Sequence, residues 1–323
     1  MVQKTLLYII VLLKILFVIA IIVSIYSFVS SKKPVLSQPT SVEITKGQGV
    51  KEIAQLLKNE KVINNKWRFY WEYIIQRRAL QAGIFRFEER ESISSIYNKI
   101  AVGDIYEEKI TIIEGWRREQ IAQMLVKKGL IDYEAFMALS EGKEGALFPD
   151  TYRVAKKTTA QEIVDKLTKN FDERTKELRP TQNQLIIASI VEREAKKDED
   201  RATIASVFYN RLAKSMKLEA DPTVQYAIDN DRLDNVSESG IKDFEFWQPL
   251  EKGITKTVIS PYNTYRVNTL PPTPICNPGL KSIEAAVKPA QTDYYYFITD
   301  KDGKAHFTRT KPEHDDNIRK YLD

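Results

Sequence analysis

The chain has 323 residues, enough for two domains and a membrane segment. Its 49 basic and 44 acidic residues leave a net charge of +5 spread along the chain, an ordinary solvated surface rather than the concentrated basic face of a nucleic-acid binder. One cysteine, Cys276, excludes an intramolecular disulfide, and two histidines, His306 and His314, exclude a multi-histidine metal site.

Thr5 to Val29 is almost wholly apolar and long enough for one membrane-spanning helix. Lys14 interrupts it about a third of the way in, where a lysine can snorkel to the interface. The apolar run is long and no A-x-A site follows, so an uncleaved anchor is expected over residues 1–30 rather than a removed signal peptide. Lys4 on one side and Lys32 and Lys33 on the other do not fix its orientation. Residues 31–41, polar and proline-containing, read as a linker.

A repeat occupies residues 42–145. VEITKGQGVKEIAQLLKNEKVI starts at Val42 and ITIIEGWRREQIAQMLVKKGLI at Ile110, with Gly47 matched to Gly115, 68 positions on. Each copy reads as a self-contained alternating strand, a glycine turn and an amphipathic helix. Between them, Ala82 to Phe87 reads as a strand, and Ser92 to Ile100 as a helix closing at Gly103. Trp67, Tyr70, Trp71 and Tyr73 crowd one segment, and packing in a core is expected of them ahead of sugar stacking. Glu141 to Gly145 reads as a flexible connection, and a last domain is expected over 146–323, beginning with LFPDTYRV and a helix from Thr159 to Glu177.

Thr181 and Gln184 then form a capping box after Pro180. The helix they open is apolar nearly all round, from Leu185 through Ala195, so it is buried. Glu192 and Glu194 break that run. A carboxyl among apolar neighbours is desolvated, its pKa rises, and a raised carboxyl pKa suits a general acid near neutral pH. The plainer reading is an ion pair with Arg193, Arg201 or Arg211; spacing alone separates neither the two readings nor the two glutamates. Asp198 or Asp200 is placed to cap the next helix, and Asp221, followed by Pro222, to cap a third near the acidic pair. The polar stretch after Ile228 to about Gln248 reads as loop. Five prolines between Val258 and Pro278 forbid a helix or central strand there, and Cys276 within that stretch reads as structural. A short helix at 282–287, a hairpin around Asp302-Gly303 and a terminal helix at 314–321 complete an α+β chain.

ASIVEREA (Ala188 to Ala195), ASVFYNRL (Ala205 to Leu212) and DPTVQYA (Asp221 to Ala227) resemble the signature of the bacterial membrane-anchored endolytic murein transglycosylases, the MltG/YceG-like family. LFPDTY, SPYNTY, LPPTPICNPG, the YYYF run and HFTRTKPEH extend the resemblance in order along nearly the whole chain. Glu219, Thr269 and Thr273 depart from that pattern. The resemblance implies a single-pass protein of the cytoplasmic membrane with an extracytoplasmic body, a LysM-like repeat module and a mixed α+β catalytic domain. It implies cleavage of nascent peptidoglycan strands between N-acetylmuramic acid and N-acetylglucosamine, leaving 1,6-anhydro ends, in the company of cell-wall synthesis machinery.

Such chemistry uses one carboxyl group as acid and then as base, without cofactor or metal. Glu192 matches the glutamate of the family's ASIVE motif and is the first candidate for that role, with Glu194 second. Asn210, Arg211, Tyr226, Tyr262, Asn263, Thr264 and Tyr265 are candidate substrate-binding residues, with packing or ion pairing the plainer role of each. A non-enzymatic peptidoglycan-binding scaffold and a muramidase-type hydrolase are the competing readings.

Overall fold

The computed structural model describes residues 2–30, 36 and 38–322. Helix α1 (Val2–Ser30) contains the span Tyr8–Tyr26, of mean hydropathy 3.0 and exposed on every side, which is long and apolar enough to cross a membrane. At ~1.5 Å per residue such a helix exceeds the ~30 Å of a hydrocarbon core. Lys32 and Lys33, and most of the expected linker, lie outside the described residues.

The chain divides into two compact units, Met1–Glu108 and Lys109–Asp323. In the first, α1 is followed by β1 (Thr40–Ile44), α2 (Val50–Asn59), α3 (Lys66–Gln76), β2 (Gly83–Phe87) and α4 (Ile93–Val102). β1 and β2 pair antiparallel, Thr40 opposite Phe87 and Ile44 opposite Gly83. Val42, Ile44, Phe85 and Phe87 alternate inward, as a strand's period of two requires, and meet Ile53, Leu57, Phe69, Ile96 and Ile100 from the helices. Asn65 caps α3 by accepting the Trp67 and Arg68 N–H groups, and Gly103 ends α4 in the left-handed conformation at φ 73°. Of the aromatic segment, Tyr73 packs against this core as expected and Tyr70 is half-buried, while the fully buried ring is Phe69. Trp67 and Trp71 stand 65% and 56% exposed, because the helix turns them away from the sheet.

The second unit repeats that order. β3 (Glu107–Thr111) leads into it, followed by α5 (Arg118–Lys127), α6 (Tyr133–Leu139), β4 (Thr151–Ala155), which pairs with β3, and α7 (Ala160–Thr175). The repeat is therefore strand, helix, helix, strand, helix in each copy, and it is longer than the matched stretch of sequence. Gly47 and Gly115 make the same left-handed turn, at φ 95° and 79°. Two residues after that glycine the helices start alike: the Gly49 N–H donates to Glu52 and the Arg117 N–H to Gln120.

The second copy is not self-contained. The Gly115 N–H donates to Asn277 O, and the Asn277 N–H to Trp116 O. The fully buried Asn277 side chain accepts from the N–H groups of Gly145 and Leu147, both at 2.9 Å, and donates to Trp116 O and to Glu144. The connection at Glu141 to Gly145 is thus pinned rather than flexible. Gly145, at φ 88°, passes so close to Pro274 that a Cβ would lie 2.7 Å from its Cγ. Asn277→Ala is expected to cost about 3 kcal/mol or more, since it orphans several buried polar groups at once; a urea titration showing a loss under about 1 kcal/mol would contradict this account.

The remaining elements are α8 (Gln182–Glu194), a 3₁₀ turn at Asp198–Asp200, α9 (Arg201–Ala213), α10 (Asp221–Leu233), α11 (Glu238–Ile241), α12 (Ile254–Thr257), α13 (Leu280–Val287), the antiparallel hairpin β5 (Tyr296–Thr299) and β6 (Ala305–Thr308), and α14 (Lys311–Tyr321). The Thr181–Gln184 capping box forms as expected, and Leu185 through Val191 are all buried, with α9 and α13 packed on α8. Two expected caps are corrected. Asp200 makes no capping bond and Asp198 turns to Arg201 and Lys281, because opposite charges lie within reach. Asp221 is the first residue of α10, after Ala220, and its carboxylate is drawn off by the Tyr265 hydroxyl. The polar stretch after Ile228 is not free loop either. Asp229 accepts the Trp247 N–H at 2.9 Å, Trp247 Nε1 donates to Gln120, and Gln123 Nε2 donates to Ile241 O and Phe244 O.

Candidate active site

Glu192 and Glu194 sit two residues apart at the end of α8, so the helix aims them about 200° apart. Glu192 points into packed surroundings. Its Oε2 accepts the Gly279 N–H at 2.9 Å, and its Oε1 lies 3.3 Å from Arg201 Nη1. Glu114 stands beside it, with its carboxyl pushed up by burial and by the Glu192 charge. A Cβ at Gly279 would fall 2.0 Å from the Glu114 carboxylate, so any larger residue there would push that carboxylate aside.

Glu194 points the other way, into a cleft of about 720 Å³. Asp221 and Gln225 of α10, Arg211 of α9, Tyr265 of the proline-rich loop and His314 of α14 share its walls. The Glu194 carboxyl is pushed up to about 7, first by burial, then by the Asp221 charge, and Lys196 and Arg193 only partly oppose this. Tyr265 Oη donates to Asp221 Oδ1 at 2.7 Å, and its own pKa is pushed up by burial and by that carboxylate. A carboxyl poised between its two protonation states at neutral pH, in an open cleft, is what a group acting first as acid and then as base needs.

The other sequence candidates divide three ways. Arg211 reaches the cleft wall, but its guanidinium is spent on Tyr295 O, Lys217 O, Leu218 O and Glu219, so it fixes the wall's shape. Tyr226 and Tyr262 pack against each other with centroids 4.7 Å apart and line a different cavity, of about 530 Å³, with Tyr133 and Asn230. Asn210, Asn263 and Thr264 are scaffolding. Asn210 donates both amide hydrogens to Thr292 O and Tyr294 O; Asn263 donates to Thr255 O and Val258 O; Thr264 Oγ1 accepts the Ala220 N–H. Cys276 is fully buried, donates its thiol to Ser189 O, and burial pushes that thiol up, so it is structural.

Gln225, Lys196, Lys311 and His314 line the cleft without having been singled out in the sequence. Gln225 had a signal, four residues after Asp221 on one helix face. His314 and Lys311 lie in the HFTRTKPEH motif, but nothing in that motif ties them to the glutamate pair, because α14 comes from the far end of the chain.

Residues 42–320 match the model of the YceG-like family, and the chain belongs to that family. It is 32% identical to an endolytic murein transglycosylase of Bacillus subtilis, over 87% of this chain and 84% of the relative. It is 28% identical to an endolytic murein transglycosylase of Streptococcus pneumoniae, again over 87% of this chain but only 58% of that longer relative. The crystal structure of a yceG-like protein from Listeria monocytogenes is similar at 32% identity, covering 86% of this chain and 99% of that one, with a TM-score of 0.51.

Proposed function

We propose that this chain is an endolytic murein transglycosylase that cuts peptidoglycan strands between N-acetylmuramic acid and N-acetylglucosamine and leaves 1,6-anhydro ends. The observation that carries the proposal is the cleft carboxyl of Glu194, half-protonated near neutral pH, in a chain similar over most of its length to enzymes of that name. Glu194 takes the acid–base role, reversing the order in which the two glutamates stand on sequence alone. Glu192 is ion-paired to Arg201 and turned from the cleft, so it is assigned to structure.

In the reaction, the Glu194 carboxyl protonates the glycosidic oxygen as the bond from C1 of the muramic acid breaks. The resulting carboxylate takes the proton of the C6 hydroxyl while that oxygen bonds to C1. The proton lent in the first half returns in the second, and no water, cofactor or second carboxylate enters. Asp221, hydrogen-bonded by Tyr265, holds its charge beside Glu194 and keeps the acid form available. The α1 span supports a membrane tether; the family resemblance implies that the membrane is the cytoplasmic one with the body outside, beside the machinery that makes new strands, whose elongation the cut would end. The strand–helix–helix–strand order of each copy supports reading them as LysM-like glycan-binding modules.

Isolated glycan strands incubated with the protein should yield internal fragments lighter by one water than reducing-end products, read by mass spectrometry. Reducing ends in their place would make the protein a hydrolase, and binding without cleavage would make it a scaffold. Fractionation tests the anchor: the full-length protein is expected with the membranes, and a shortened soluble form would overturn the tether.

A further inference from the structure

The outward face of α3 has no counterpart in the matching helix of the second copy. Trp67, Trp71, Ile74 and Ile75 recur at helical spacing and form one stripe, with Ile74 37% and Ile75 68% exposed beside the two exposed tryptophans. Aligned on their caps, Asn65 and Asp132, and on the buried Phe69 and Phe136, α3 and α6 carry the same core residue. The four stripe positions then fall on Glu134, Ala138, Glu141 and Gly142 in the second copy. The fold does not require apolar residues there.

Over residues 66–78 the charges that reach solvent are of one sign: Lys66, Arg68, Arg77 and Arg78 flank the stripe in sequence, and the one acid there, Glu72, is buried and paired with Arg68 at 3.2 Å. Tryptophan and isoleucine on one face, rimmed by lysine and arginine, are the composition of a helix that lies in a membrane interface. The tether puts an interface within reach. Nine residues separate Ser30, the end of α1, from Thr40, the start of β1, which is at most about 30 Å of extended chain.

We propose that α3 rests on the bilayer surface, with Trp67, Trp71, Ile74 and Ile75 in the boundary between headgroups and acyl chains and the cationic rim against anionic phospholipid. A glycan strand is the competing occupant. Two isoleucines, and no polar group within the stripe beyond the two indole N–H donors, fit the headgroup–acyl boundary better than a row of sugar hydroxyls. The contact adds a second attachment to the single span and holds the first unit against the membrane. It stands independently of the transglycosylase reading.

The experiment uses the full chain in vesicles of phosphatidylcholine and phosphatidylglycerol carrying brominated acyl chains. The protein has four tryptophans and α1 contains none, so the signal is clean. Two of the four should lie at bromine depth, and emission is expected to fall by roughly half. The double substitution Trp67→Phe/Trp71→Phe should abolish most of that quenching. Ile75→Asp should weaken the seating of the helix and reduce the quenching with a nearly unchanged melting temperature, since that side chain is 68% exposed. Quenching equal in wild type and the tryptophan double variant would overturn the proposal. So would shielding of the two tryptophans from aqueous iodide by soluble glycan fragments, with no quenching by brominated lipid; that result would make the stripe a sugar platform.

Discussion

Glu194→Gln should all but abolish release of anhydro-ended glycan, lowering the rate on the order of 10²–10⁴-fold, the usual contribution of general acid–base catalysis. Glutamine keeps the shape of the side chain and removes only the transferable proton. The wild-type rate should fall as pH rises through about 7, because the acid form is lost there. Stability follows the same titration. The folded chain holds the Glu194 proton more tightly than an unfolded chain, so this group adds stability below the ordinary carboxyl pKa, and that contribution is lost as pH rises through about 7. Glu194→Gln should therefore flatten the stability–pH curve across that window. Glu192→Gln should do the opposite on both counts: much of the activity remains, and stability drops because Arg201 keeps Asp198 but loses its buried carboxylate partner. Product mass spectra and melts on the two variants decide it. A folded Glu194→Gln protein cutting at the wild-type rate would hand the role back to Glu192.

Arg117→Met should be the most damaging single change to the fold of the second unit. Arg117 is fully buried, with its guanidinium 3.9 Å over the Tyr226 ring, bonded to Glu119 at 3.0 Å and to Asn230, and 3.7 Å from Asp229. Methionine fills much of the volume but leaves Glu119 and Asp229 buried without that cation, a loss of about 3–5 kcal/mol. For a body of this size that is a fall of roughly 10 °C in melting temperature. The deficit should shrink in acid, where the abandoned carboxylates become neutral. Glu144, already pushed up to about 8 by burial and by Glu119, needs little acid to remain so. An equal deficit at pH 5 and pH 8 would show that lost packing, not stranded charge, is the cause.

The local physics of this chain is legible in its sequence, and its long-range geometry is not. The Thr181–Gln184 box, the buried run from Leu185 to Val191, the Gly103 helix end and the hairpin at Gly303 each rest on residues within a turn or two of one another, and each forms. The two glutamates show the limit. Their apolar neighbours along α8 are equivalent, and what separates them is Arg201 and Gly279 on one side against Asp221 and Tyr265 on the other, brought in from up to 87 residues away. Asn263 and Asn210 looked like sugar ligands for the same reason: polar residues in a promising motif carry no mark of which backbone carbonyls will claim them. The repeat was visible only in its first strand, turn and helix, because the second half of each copy keeps its pattern of elements while sharing few residues.

The Asn277 staple bears on how such proteins are recombined. By knitting Trp116 and Gly145 to the proline-rich loop, it makes the second duplicate an inherited organ of the catalytic body, while the first duplicate remains an exchangeable cassette. A chimera between relatives that joins the chains ahead of Glu107, before β3, transfers a whole compact unit and leaves the β3–β4 pair intact. One that joins them at the apparent end of the repeat, near Gly145, pairs each half of the staple with a stranger.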